Sequence, residues 1–243
     1  IVVTMLLLMA LAVLTGEYLR KRYPPPPDSN AVTQEGYMVS GIVGLLALLL
    51  GFTFSLAVDR FETRRALVLE EANAIHIAYL RAQTLDEPER GTMNRLLLKY
   101  LDTRLELGKL GSKGDAAPLL KDSRRLHAVM WRQSLGAINK RRDDISSAYM
   151  DSIHRIIETA ASRRAAREVH VPQPVFAVIL VYMLGTATAL GFAMGSRRRR
   201  AIAVLLVLTT ISYALILDID SATTGAIRET QRPMEEMRAY LRP

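Results

Sequence analysis

LLLGFTFSLAVDRFETRRALVLEEAN, residues 48–73, begins as lipid-compatible sequence and ends as a charged, water-compatible helix. No proline, turn cluster or change of helical spacing separates the two halves. Asp59, Arg60, Glu62, Arg64 and Arg65 stand where the apolar run stops. A chain that leaves a membrane in this way carries one helix across the boundary, coupling a span to whatever follows it.

The surrounding composition fits that reading. Half of the 243 residues are hydrophobic, yet 32 Lys+Arg stand against 24 Asp+Glu, and the apolar residues are clumped. Clumping at this level marks an integral membrane protein. The chain has no cysteine, which excludes disulfides, thiolate metal sites and cysteine nucleophiles. Crossing about 30 Å of hydrocarbon at 1.5 Å per residue takes roughly 20 apolar residues. Four stretches qualify or nearly do: 1–14, 37–58, 175–194 and 201–217. The chain starts at Ile1 and not Met, so 1–14 is read as a truncated span. A signal peptide carries its basic cluster before the apolar run, whereas Arg20, Lys21 and Arg22 follow it.

The expected architecture is an all-α integral membrane protein of four transmembrane helices with a large helical insert between the second and third. Residues 1–58 hold two spans and a Pro-rich connection. Residues 59–171 form the extramembrane insert continuous with the second span, 172–220 the third and fourth spans, and 221–243 an amphipathic tail. In the connection, Pro24–Pro27 favour a stiff polyproline II spacer. In the insert, Phe61, Val68, Ala72, Ile75 and Tyr79 share one helical face. A second helix opens near Asp86-Glu87-Pro88, carries Met93, Leu97, Tyr100 and Leu101, and ends at Gly108, Gly111 and Gly114. A third, over about 124–167, has a stripe from Trp131, Leu135 and Ile138 through Ile145 to Tyr149, Ile153 and Ile156. Only Arg142 interrupts it. In the tail, Ile227, Met234, Met237 and Leu241 face either the insert or the bilayer surface.

Chemistry is scarce. His76, His127, His154 and His170 form no metal-binding pair, and no phosphate loop or nucleophile elbow is present. No catalytic residue, metal or cofactor is expected, so an enzyme has nothing to rest on. His76 lies on the exit helix near Glu70 and Asn73, either lining a water-filled path or on a solvated face. Asp218 and Asp220 end the last span and either collect cations or mark its return to water. Basic and acidic residues are interleaved, so anionic lipid headgroups, and not nucleic acid, account for the positive charge.

The stretch 48–73 resembles the bestrophin-like domain family of bacterial membrane proteins. The likeness lies in Leu50-Gly51-Phe52, Ser55, Asp59-Arg60-Phe61-Glu62, Arg64-Arg65 and Glu71-Ala72-Asn73-Ala74-Ile75. It extends to Tyr79-Leu80-Arg81, Leu217-Asp218-Ile219-Asp220 and Gln231-Arg232-Pro233. A more distant likeness, to bestrophin chloride channels, implies a homo-oligomeric ion channel, pentameric and anion-permeable, with the second helix around the axis. On that likeness Leu48 and Phe52 match the apolar neck, although Leu48 replaces an aromatic. The acidic cluster after the last bestrophin span is not reproduced, so calcium gating is not implied.

Helical spacing alone puts Leu45, Leu48, Phe52 and Leu56 on one face, where a ring of them would gate by dewetting. Arg60 and Arg64 follow as mouth residues that concentrate anions. The rival reading has the apolar residues facing lipid and the arginines at headgroup level. A non-conducting scaffold, sensor or accessory subunit using the insert to bind a partner is the alternative function. The expected location is the bacterial inner membrane. Basic residues in the short loops, Arg20–Arg22 and Arg197–Arg200, argue for cytoplasmic loops. The bestrophin likeness argues instead for a cytoplasmic insert.

Overall fold

A computed structural model describes residues 2–24, 29–110, 114–140, 142–221 and 225–242, with the backbone alone for 29–33 and 196–197. Pro25–Pro27 and Gly111 lie outside the described residues, as does the side chain of Arg197. Among the described residues eight α-helices run in order as α1 (Val2–Arg22), α2 (Ser29–Ala82), α3 (Glu89–Lys109), α4 (Ala117–Lys140), α5 (Asp144–Glu168), α6 (Gln173–Met194), α7 (Arg199–Asp220) and α8 (Arg232–Leu241). Among the described residues there is no strand. The chain is an all-α membrane protein, and among the described residues four helical segments have the length and apolar character to span a bilayer.

The chain divides into two compact units, residues 1–59 with 170–221, and residues 60–169 with 222–243. The first is the membrane unit: α1, the apolar part of α2, α6 and α7. Its core gathers Met5, Met9 and Val13 of α1, Ile179, Met183, Ala187 and Leu190 of α6, and Ile202, Leu206 and Tyr213 of α7. The helix α1 reaches Arg22, eight residues beyond the apolar run that marks it in the sequence. Its extra turns are held by polar contacts. Arg20 donates to the carbonyls of Phe192 and Ala193, covering orphan acceptors at the end of α6. Glu17 accepts a two-pronged ion pair from Arg199, at 3.0 and 2.6 Å. Gly195 takes φ +56 at the α6 terminus, a left-handed conformation that favours glycine.

Close helix approach in this unit occurs at Gly16 and Gly191. A Cβ on Gly16 would lie 2.1 Å from the Thr188 carbonyl oxygen, and one on Gly191 2.2 Å from that of Val13. The two glycines let α1 and α6 touch through their backbones, the usual use of small residues between membrane helices. A Cβ on Gly51 would meet nothing.

The second, extramembrane unit packs residues 60–82 of α2 with α3, α4, α5 and α8. Val68, Ala72, Ile75 and Ala78 of α2 meet Met93, Leu97, Tyr100 and Leu101 of α3. Met130 of α4, Tyr149, Ile153 and Ile156 of α5 and Met234, Met237 and Leu241 of α8 complete that core. Phe61 and Tyr79 are only half-buried. Ile227 is exposed.

The long third helix read from the sequence is two helices. Asp143 caps α5, its side chain accepting from the Ser146 backbone at 2.8 Å, so the Arg142 interruption is a true break. Because the register restarts there, Leu135 and Ile145 are exposed, and α4 buries Leu126, Met130, Ser134 and Ala137 instead. Likewise α3 continues through Gly108 to Lys109. A Cβ on Gly108 would lie 2.7 Å from Gln231 Cδ, so this glycine makes room for a side chain and does not end the helix.

Candidate functional site

On an ideal helix of 3.6 residues per turn, Leu45, Leu48, Phe52 and Leu56 of α2 fall within an arc of about 80°. Their exposures are 52, 53, 67 and 41%. Leu46, Thr53 and Ala57, on the opposite side, are buried, and Thr53 returns its hydroxyl to the Leu49 carbonyl. The membrane part of α2 thus has a face buried within its unit and an apolar face left open. Beyond the boundary the open face continues as Asp59, Thr63, Ala66, Asn73 and Ile77, all exposed. Its character has changed from four large apolar side chains to a mixed, largely polar set.

The inward face of the extramembrane α2 carries a buried ion network. Glu71 is fully buried and accepts from Arg104 Nη2 at 2.8 Å, from Arg163 Nη1 at 2.8 Å and from the Tyr100 hydroxyl. Burial works against its charge, but the two guanidiniums outweigh burial and hold the carboxyl below the ordinary carboxylate range. Burial and the Glu71 carboxylate push the Tyr100 hydroxyl well above the ordinary phenol range, so it stays a donor. Arg163 extends the network by donating Nη2 to Gln231 Oε1 at 2.8 Å. Glu229 accepts from Arg64 Nε at 3.0 Å and lies 3.4 Å from Arg167 Nη2. Two carboxylates therefore tie α2, α3, α5 and the segment before α8 together.

The residues singled out in the sequence separate into two groups. Leu45, Leu48, Phe52 and Leu56 lie together on the open face. Arg60 is half-buried at the boundary. Arg64 is buried, 2% exposed, and its charge is directed at Glu229 and not outward, because its position on α2 falls on the inner face. Glu70 is half-exposed and pairs with Arg155 at 2.6 Å. His76 packs edge-on against Tyr240 with ring centres 5.0 Å apart, beside exposed Asn73 in a shallow notch against α8. Asp220 is buried and accepts from the Val171 backbone at 3.0 Å, fastening the start of α6 to the end of α7. Asp218 is half-buried. Among the described residues no cluster of three His, Asp or Glu is arranged to hold a metal.

Glu229, Arg104 and Arg163 are not apparent as partners in the sequence. They lie 33 to 165 residues from the groups they bind, beyond any helical spacing. The visible trace is Glu71, an acidic residue on the otherwise apolar face of Val68, Ala72 and Ile75.

The model of the bestrophin-like domain matches residues 6–228. A crystal structure of a point mutant of the bacterial bestrophin homolog from Klebsiella pneumoniae superposes with a TM-score of 0.70 at 15% identity, covering 99% of this chain and 93% of that one. A second mutant of the Klebsiella pneumoniae protein gives 0.71 at 13% identity, covering 99 and 96%. A third structure of it gives 0.66 at 15%, covering 99 and 94%. No curated protein matches the chain. Family model and fold agree over nearly the whole length, and the chain belongs to the bestrophin-like family.

Proposed function

We propose that this protein is a homo-oligomeric ion channel of the bacterial inner membrane, anion-permeable, in which α2 lines the pore. The observation that supports it most is the open apolar face of α2. Four large side chains, Leu45, Leu48, Phe52 and Leu56, are exposed along one face, while Leu46, Thr53 and Ala57 of the same helix are buried. Copies of the chain arranged about an axis, five in the bestrophin likeness, would turn that face into a hydrophobic constriction that gates by dewetting. Arg60 follows at the boundary as a cation near the mouth. Arg64, turned inward to Glu229, serves the fold of the insert instead. The bilayer and its anionic headgroups are the surroundings, and the chemistry is conduction without catalysis.

The test is anion flux from liposomes reconstituted with the purified chain. Flux should be present, and Phe52→Ala should raise it by widening the constriction. Folded oligomers that remain electrically silent overturn the proposal. A non-conducting scaffold or sensor is the second reading, and a basic cavity in the extramembrane unit favours it. Capture of a stoichiometric partner by silent oligomers would select it.

We also place the insert in the cytoplasm, as the family likeness implies. Arg20 and Arg199, two of the loop charges that argue otherwise, have structural partners in Phe192, Ala193 and Glu17. The cysteine-free sequence makes the test simple. A single cysteine at Lys121 should be shielded from a membrane-impermeant thiol reagent in whole cells, and labelling there reverses the orientation.

A further inference from the structure

Between α3, α4 and α5 the extramembrane unit encloses a cavity of about 390 Å³. Its lining is unusual in charge. Arg104, Arg163 and Arg167 form the inner wall, Arg124 and Arg164 stand at the exposed rim, and Glu168 is the single carboxylate among the described lining residues. Leu107, Leu120, Ile157 and Ala160 supply an apolar side.

The inner arginines are incompletely compensated. Glu71 is shared by Arg104 and Arg163, and Glu229 by Arg64 and Arg167. In the ion pairs described, two carboxylates thus serve four guanidiniums, and burying positive charge in excess is unfavourable unless an anion joins it. Arg163 Nε, Arg167 Nε and His127 Nε2 have no hydrogen-bond partner among the described residues, and all three side chains line this cavity. Buried polar atoms of that kind are normally satisfied. Burial and the neighbouring Arg163 lower the proton affinity of Arg167, which agrees with crowded positive charge.

We propose that this cavity binds a small soluble organic anion, a carboxylate or phosphate monoester carrying a short apolar group. Arg163 and Arg167 face the anionic head, Arg124 and Arg164 attract it at the rim, and Leu107, Leu120 and Ile157 receive the apolar part. A volume near 400 Å³ lies in the range of small-ligand pockets, which is about 300–1,000 Å³. This binding does not depend on whether the chain conducts.

Isothermal titration of the full chain in phosphatidylcholine nanodiscs tests it, with hexyl phosphate and hexanoate as probes and hexanol as the neutral control. Saturable binding of at least one anion with none of hexanol is expected. The double substitution R124A/R164A removes only exposed rim charges, so its melting should match the parent while anion affinity falls about tenfold. Filling the cavity with Ala160→Phe should abolish binding. No saturable anion binding, equal binding of hexanol, or unchanged affinity in a correctly folded R124A/R164A chain would overturn the assignment. Phosphatidylglycerol nanodiscs separate the sources of the anion. Undiminished probe binding there supports a soluble ligand, whereas competition by the lipid overturns that choice in favour of a headgroup site.

Discussion

The two units of this chain are held together by different physics. In the membrane unit α1 and α6 meet backbone to backbone at Gly16 and Gly191, and the main charged contact, Glu17 with Arg199, sits at a helix end. In the extramembrane unit the helices meet around Glu71, a carboxylate with 0% exposure, and its arginines. Lipid offers no hydrophobic drive to bring helices together, so close van der Waals packing of small residues does that work. Water does provide the drive, and the insert can accommodate a buried ion network because a large apolar core surrounds it. The lesson is that charge removal should damage one unit and added volume the other.

The largest effect is expected at Glu71. Glu71→Ala leaves Arg104 and Arg163 buried with no carboxylate between them, a loss of roughly 3–5 kcal/mol. Limited proteolysis should then cut the insert while α1, α6 and α7 remain protected. Survival of the insert at the parent's melting temperature would break the contrast between the units. Next comes Gly191→Leu, whose Cβ would run into the Val13 carbonyl. Separating α1 from α6 should cost about 1–3 kcal/mol, read as loss of the membrane unit's resistance to detergent denaturation with the insert unaffected.

Acid should find the insert first. His127 is pulled down to about 4 by burial and by the Arg104 guanidinium, so its neutral form is favoured in the folded state. A depressed folded value means that its contribution is present above the unfolded value near 6.5. That contribution is lost as pH falls toward 4. Glu71, also depressed, adds a further loss below the ordinary carboxylate range. Melting of the insert followed from pH 7 to 3.5 should show both, and His127→Phe should flatten the upper limb only. The smallest effect on stability is expected for Phe52→Ala, within about 0.5 kcal/mol, because the side chain is 67% exposed. A position that hardly matters for stability yet changes flux would sharpen the case that the open face of α2 serves function.

Much of this molecule is legible from local spacing. Residues 37–58 lack any charge, and Val68, Ala72 and Ile75 repeat at helical intervals, so the spans and the inward face of the insert can be read directly. The failures have local causes as well. The α4–α5 break is concealed because apolar residues continue on both sides of Arg142, and only the Asp143 cap reveals it. Gly108 reads as a helix stop, yet the reason for a glycine there is the side chain of Gln231, 123 residues away.

The sequence by itself determined which segments are apolar enough to span a bilayer, that the described elements are helical, and that α2 runs unbroken from its apolar stretch into its charged one. Hydropathy and periodicity are properties of neighbouring residues, and solvent acts on them before any tertiary contact forms. Only the tertiary structure decided that Arg64 turns inward to Glu229, that Glu71 gathers two arginines and a tyrosine, and that five arginines line one cavity. Those assignments depend on pairing residues far apart in the chain. A charge is not marked in the sequence with the partner that will neutralise it.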